Sequence, residues 1–153
     1  MNGPRRNQSV ETKAGYKVPF GTVSITDEAR LLIKKALDET FVTNGKTVRE
    51  FEKAFADLFK VREAVAVSSG TDADALALAV AYDHGARRGD EVIVPALSFV
   101  ATGNAVFQAG FKPVFVDVKR ETLNIDPEKI EAAITEWTRA IMPVHLMGKP
   151  AEM

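Results

Sequence analysis

Ser68-Ser69-Gly70-Thr71-Asp72 is the segment of this 153-residue chain best suited to chemistry. It lies between a short apolar run and an Ala/Leu-rich stretch, which reads as a strand entering a helix. Free backbone N–H groups and the dipole at a helix start favour a phosphate. Gly70 lets the backbone approach closely, and the hydroxyls of Ser69 and Thr71 add donors. Ordinary helix starts use the same residue types as N-caps. The segment therefore reads either as a phosphate cradle or as a plain cap. Neither the dinucleotide fingerprint nor the Walker A motif is present, which weakens nicotinamide and ATP readings.

Phe99 and His145 each lie just past a predicted strand. In a parallel α/β sheet, ligands sit outside the carboxyl ends of strands. Phe99 can stack on a flat cofactor there, or it can simply fill the core. His145 can face the same crevice, or it can be a partly buried ring bonded to backbone. His84, in the polar stretch AYDHGARRGD, reads as a surface residue, as do Lys46 and Lys149. Asp72 and Asp74 stand at i, i+2 and point to different sides of a helix, so they do not form a working pair.

These residues need elements to hold them. Thr26 caps a helix whose Ala29, Leu32, Ile33, Ala36 and Leu37 share one face. Thr47-Val48-Arg49-Glu50 matches a capping box, opening a second helix with Val48, Phe51, Phe55, Leu58 and Phe59 on its apolar stripe. From residue 64 onward the period changes. AVAV (64–67) predicts a buried strand, followed by a helix to about Ala86. EVIVP (91–95) predicts a second strand, and a helix from about Phe99 to Ala109 stops at Gly110. KPVFVDV (112–118) predicts a third strand. Asp126-Pro127 is an N-cap with a first-turn proline, and RAIMPV (139–144) predicts a fourth strand. Apolar strands alternating with helices imply a largely parallel sheet covered on both faces, an α/β fold.

Composition removes several function classes. With 20 Lys+Arg against 21 Asp+Glu, a basic footprint for nucleic acid is missing. The absence of cysteine removes disulfides, thiolate catalysis and Cys-ligated zinc, and is compatible with a reducing compartment. Two histidines argue against a His-based metal site. No apolar run approaches the ~20 residues of a membrane span. Residues 1–17 are polar and aperiodic, and read as a flexible leader rather than a signal peptide.

Three stretches taken together carry a resemblance: FVTNGKTVREFEKAFADLFKVREAVAVSSGTDADALALA, GDEVIVPALSFVATGNAVFQAGFKPVFVDV and TLNIDPEKIEAAITEWTRAIMPVHLMGKPAEM. From about Val18 to Met153 the chain resembles the DegT/DnrJ/EryC1/StrS family, pyridoxal-phosphate (PLP) enzymes of the aspartate aminotransferase fold type I. The resemblance implies a three-layer, mostly parallel sheet and the large domain of that fold. It implies that Gly70 and Thr71 hold the PLP phosphate and that Phe99 stacks on the pyridine ring. It assigns no role to His145. The implied reaction is ping-pong transfer of an amino group from a donor such as glutamate to a keto sugar, nucleotide-linked or related, by a cytoplasmic homodimer. A sugar dehydratase of the same family and a non-catalytic relative are the alternatives.

Two positions depart from the family pattern. Asp74 and Ala75 stand where Leu-His is usual, and Lys149 replaces a common Gln. The chain stops in a loop after the fourth predicted strand, and the family's Schiff-base lysine and pyridinium-pairing aspartate would follow later. Residues 18–153 are thus expected to be the N-terminal part of a PLP-binding large domain, with no catalytic residue of its own. Alone it is expected to be inactive and to fold poorly.

Overall fold

The computed structural model describes residues 23–39 and 43–153. The expected leader, 1–17, lies outside the described residues. The chain forms two compact units, one through Ala64 and one from Val65.

The first unit carries helices α1 (Asp27–Asp38) and α2 (Lys46–Phe59). Thr26 caps α1 as expected, its hydroxyl accepting the Ala29 N–H at 3.1 Å. The predicted apolar face of α1 is largely solvent-facing, with Leu32, Ile33 and Leu37 all exposed. Thr47 does not cap α2. The helix begins two residues earlier, with Gly45 as the N-cap and no side-chain cap bond. Glycine adopts the extended cap conformation at little cost, so the capping-box residues fall inside the helix. Phe51, Phe55 and Phe59 form a ladder along α2, with ring centroids 6.0 and 4.5 Å apart.

The second unit is the α/β part. Its elements are α3 (Gly70–Ala79), β1 (Glu91–Pro95), α4 (Val100–Gln108), β2 (Lys112–Val116), α5 (Pro127–Ala133) and β3 (Thr138–Ile141). Three parallel strands pair in the order β2-β1-β3. The predicted strand at 64–67 is absent: it joins no strand ladder among the described residues, and Val65 is exposed. An apolar β-branched run becomes a strand only where a neighbouring backbone takes its hydrogen bonds. The long helix expected to Ala86 tightens into a 3₁₀ turn at Val80–His84, where Gly85 ends it in the left-handed region at φ 90°. The third and fourth predicted strands are shorter than expected, and Val118 continues only as an isolated antiparallel bridge to Ile125.

Burial follows from strand alternation. Val92 and Val94 of β1 face one layer, with Leu78, Val106 and Phe111. Ile93 faces the other, with Val116, Ile125 and the partly buried Ile130 and Ala133 of α5. The helix carriers α4 and α5 therefore cover opposite faces of the sheet. That is the outcome of right-handed crossovers when β1→β2 and β2→β3 run in opposite directions across the sheet. No helix among the described residues is long and apolar enough to cross a membrane.

Candidate active site

α3 begins where the sequence predicts a helix start, with Ser69 as N-cap. Its Oγ accepts the Asp72 N–H at 3.1 Å. The Ser69 hydroxyl donates to Asp72 Oδ2 at 2.9 Å, and the Ser68 hydroxyl donates to the same oxygen. These two bonds, Ser68's first, hold the Asp72 carboxyl below its ordinary range. The expectation that Ser69 supplies a free donor is corrected: its proton is committed to Asp72. The donors left for a ligand are the first-turn amides of Gly70 and Thr71 and the Thr71 hydroxyl, none with a partner among the described residues. A Cβ placed on Gly70 would meet nothing within 4 Å, so the space over the helix start is open. Amides, hydroxyl and open space fit a phosphate dianion at the positive end of the helix dipole.

Phe99 occupies the N-cap of α4, beyond the carboxyl end of β1. It is 73% exposed and so stands outside the core, against the core-packing alternative. A hollow of about 190 Å³ opens beside it, lined by Ser98, Phe99, Thr102, Gly103, Phe107 and Phe115. The Ser98 and Thr102 hydroxyls bond to one another at 2.7 Å within it. α3 and α4 pack against each other, so the phosphate-type helix start and the exposed ring are carried by contacting elements.

His145 follows β3. It is exposed, and its Nδ1 accepts the Ala151 N–H at 3.0 Å. Asn124, which the sequence reading did not single out, holds the same loop. Its Oδ1 accepts the Leu146 N–H and its Nδ2 donates to the Lys149 carbonyl, both at 2.9 Å. A lone Asn in TLNID carries no local signal, because its partners lie 22 and 25 residues away. His84 is exposed at the end of the 3₁₀ turn, as expected. Among the described residues, no cluster of three or more His, Cys, Asp or Glu side chains could hold a metal.

Comparison with solved structures gives the class first. The chain superposes on a putative sugar aminotransferase from Streptococcus pneumoniae with a TM-score of 0.81 and 32% identity, covering 90% of this chain and 34% of that one. It superposes on the E. coli GDP-4-keto-6-deoxy-D-mannose-3-dehydratase, a structure with bound hydrated PLP, with a TM-score of 0.77 and 37% identity, covering 87% of this chain and 35% of that one. The fold is the α/β architecture of these PLP-dependent fold type I enzymes. A family model then matches residues 23–153, and the chain belongs to the DegT/DnrJ/EryC1/StrS aminotransferase family. A Bacillus subtilis (strain 168) relative, 3-oxo-glucose-6-phosphate:glutamate aminotransferase, is 43% identical over 143 residues, 90% of this chain and 32% of that protein. The chain thus spans about a third of the length of the relatives it matches.

Proposed function

We propose that this chain serves a PLP-dependent aminotransferase that moves an amino group from an amino acid such as glutamate to a keto sugar, phosphorylated or nucleotide-linked. The single observation behind this reading is the 43% identity to a glutamate aminotransferase acting on a keto-sugar phosphate. In this reading the amides of Gly70 and Thr71 and the Thr71 hydroxyl bind the cofactor phosphate, and the exposed ring of Phe99 stacks on the pyridine. Bound PLP supplies an electron sink and a carrier for the amino group. The chain's own task is orientation. The α3 start fixes the phosphate, and Phe99 fixes the plane of the ring. Ser68 and Ser69 hold the Asp72 carboxylate within the first turn through their hydroxyls. The assembly is a homodimer in the cytoplasm.

The test is an assay of the whole enzyme that this chain serves, with PLP, glutamate and a 3-keto sugar phosphate or a nucleotide-linked 4-keto sugar. The expected result is one 2-oxoglutarate released per amino sugar formed. A second reading, dehydration of a nucleotide-linked keto sugar, is favoured by the 37% identity to the E. coli dehydratase. In that case the product is a deoxy sugar with no stoichiometric amino sugar. Failure to take up PLP at all would overturn both readings and leave a non-catalytic relative.

A further inference from the structure

The geometry points to His145 as a hydrogen-bond donor, through Nε2, to an oxygen at the edge of the cofactor ring stacked on Phe99; this rests on the functional reading above. Three observations carry it.

The first is topology. The strand order reverses at β1, since β2 lies on one side and β3 on the other. In open α/β sheets the ligand crevice lies at such a reversal, outside the carboxyl ends of the strands. Here that crevice falls between β1 and β3. The chain leaving β1 carries Phe99, and the chain leaving β3 carries His145. The two strands are held in step there by Val92↔Ala140 and Ile93↔Ile141 pairing and by the Met142 N–H to Ile93 carbonyl bond of 2.9 Å.

The second is the tautomer. A ring nitrogen that accepts a backbone N–H carries no proton. Nδ1 accepts from Ala151, so the neutral imidazole holds its proton on Nε2. Nε2 has no partner among the described residues.

The third is the investment of structure in the loop. Asn124 is 3% exposed and bridges both ends of the turn that follows His145. Further bonds run from the Gly148 N–H to the His145 carbonyl and from the Lys149 N–H to the Leu146 carbonyl. Met147 is held in the left-handed region at φ 53°, an uncommon place for a side-chain-bearing residue. Yet the imidazole itself is exposed, so this scaffold orients His145 without burying it. In the reading with the phosphate on α3 and the ring plane on Phe99, a donor leaving β3 is directed to the edge of that ring, where an oxygen accepts it.

Two substitutions separate a ligand contact from a structural one. His145→Asn can still accept the Ala151 N–H but has no donor at the Nε2 position. His145→Gln places an amide N–H near Nε2 and loses the acceptor. PLP binding by the whole enzyme that this chain serves is followed by its visible absorption, with thermal melting alongside. The expected result is that His145→Asn melts like wild type, binds PLP roughly 3–10-fold more weakly, the worth of one neutral hydrogen bond, and shifts the absorption band of bound PLP. His145→Gln keeps the wild-type band. Nitrogen-15 shifts of wild type without PLP should place the proton on Nε2. A proton on Nδ1, or wild-type affinity and spectrum in His145→Asn, overturns the inference alone. Absence of PLP uptake by wild type overturns the functional reading and the inference with it.

Discussion

Arg139 Nε donates to Asp90 Oδ2 at 2.8 Å, and Arg139 is the extra residue at the bulge where Glu91↔Thr138 gives way to Val92↔Ala140. A bulge re-aims the side chain it inserts. Here it turns a guanidinium onto a carboxylate that is 3% exposed. The same oxygen also accepts the Arg87 N–H at 2.8 Å and so ties the turn before β1. Removing Arg139 leaves a buried charge with one backbone donor. Arg139→Met should cost about 1–3 kcal/mol, the penalty of an under-satisfied buried polar group. Asp90→Asn, which keeps an acceptor for Arg87, should cost less. Urea denaturation of both variants checks the order; equal stability of Arg139→Met and wild type would show that Asp90 does not depend on it.

Gly110→Ala should be among the more damaging single changes. Gly110 has φ 86°, and a Cβ there would sit 2.8 Å from the Tyr82 hydroxyl and 3.2 Å from Arg88 Cζ. Tyr82 cannot easily yield. Its hydroxyl donates to the Ala109 carbonyl at 2.7 Å, and its ring stacks on Phe111 with centroids 4.9 Å apart. Backbone strain alone costs about 1–3 kcal/mol, and the displaced tyrosine adds to it. Gly85→Ala is the control: φ is 90° but nothing lies within 4 Å. Thermal melts should place Gly110→Ala below Gly85→Ala.

Two substitutions test the proposed cofactor site. Thr71→Val removes one hydroxyl donor to a charged phosphate, worth about 1.5–3 kcal/mol, and should weaken PLP binding by that amount. Phe99→Ala should lower PLP retention while changing stability by no more than about 0.5 kcal/mol, as for other exposed sites, because the ring is mostly in solvent. PLP titration beside thermal melting separates the two effects. Unchanged PLP affinity in both variants removes the site assignment; unfolding of Phe99→Ala removes the stacking role.

Acid should weaken the second unit through Glu91. Thr135 Oγ1 donates to Glu91 Oε2 at 2.7 Å and Lys112 Nζ to Oε1 at 2.9 Å; the Thr135 bond, then Lys112, holds the carboxyl below its ordinary value. A group with a depressed folded value contributes stability above its unfolded value and loses it as pH falls through the folded one. Glu91→Gln should flatten the acid limb of the stability curve. Lys129, raised by its bond to Asp117, acts at the other end: its contribution is present below the ordinary lysine value and is lost as pH rises through the raised one. Molar salt should reduce both contributions. An acid limb unaltered by Glu91→Gln would contradict the first claim.

What the sequence determined by itself were the features that depend on neighbours in the chain. The Thr26 cap, the Asp126 cap with Pro127 behind it, and the Ser69 helix start all rest on contacts within a few residues, where residue type decides the outcome. The family was legible for the same reason, through motifs such as SSGTD and GDEVIVP. Tertiary structure decided what depends on distant partners. AVAV has strand composition, but a strand exists only where another backbone pairs with it. Phe99, an aromatic past a strand end, reads more readily as core than as a ligand ring until packing leaves it in solvent. Asn124 has no local signature, since its bonds reach residues 22 and 25 positions on, and the setting of His145 at the reversal of strand order follows from β3 passing to the far side of β1. Side-chain type is written in the sequence; which donor meets which acceptor across the sheet is set by strand order and register.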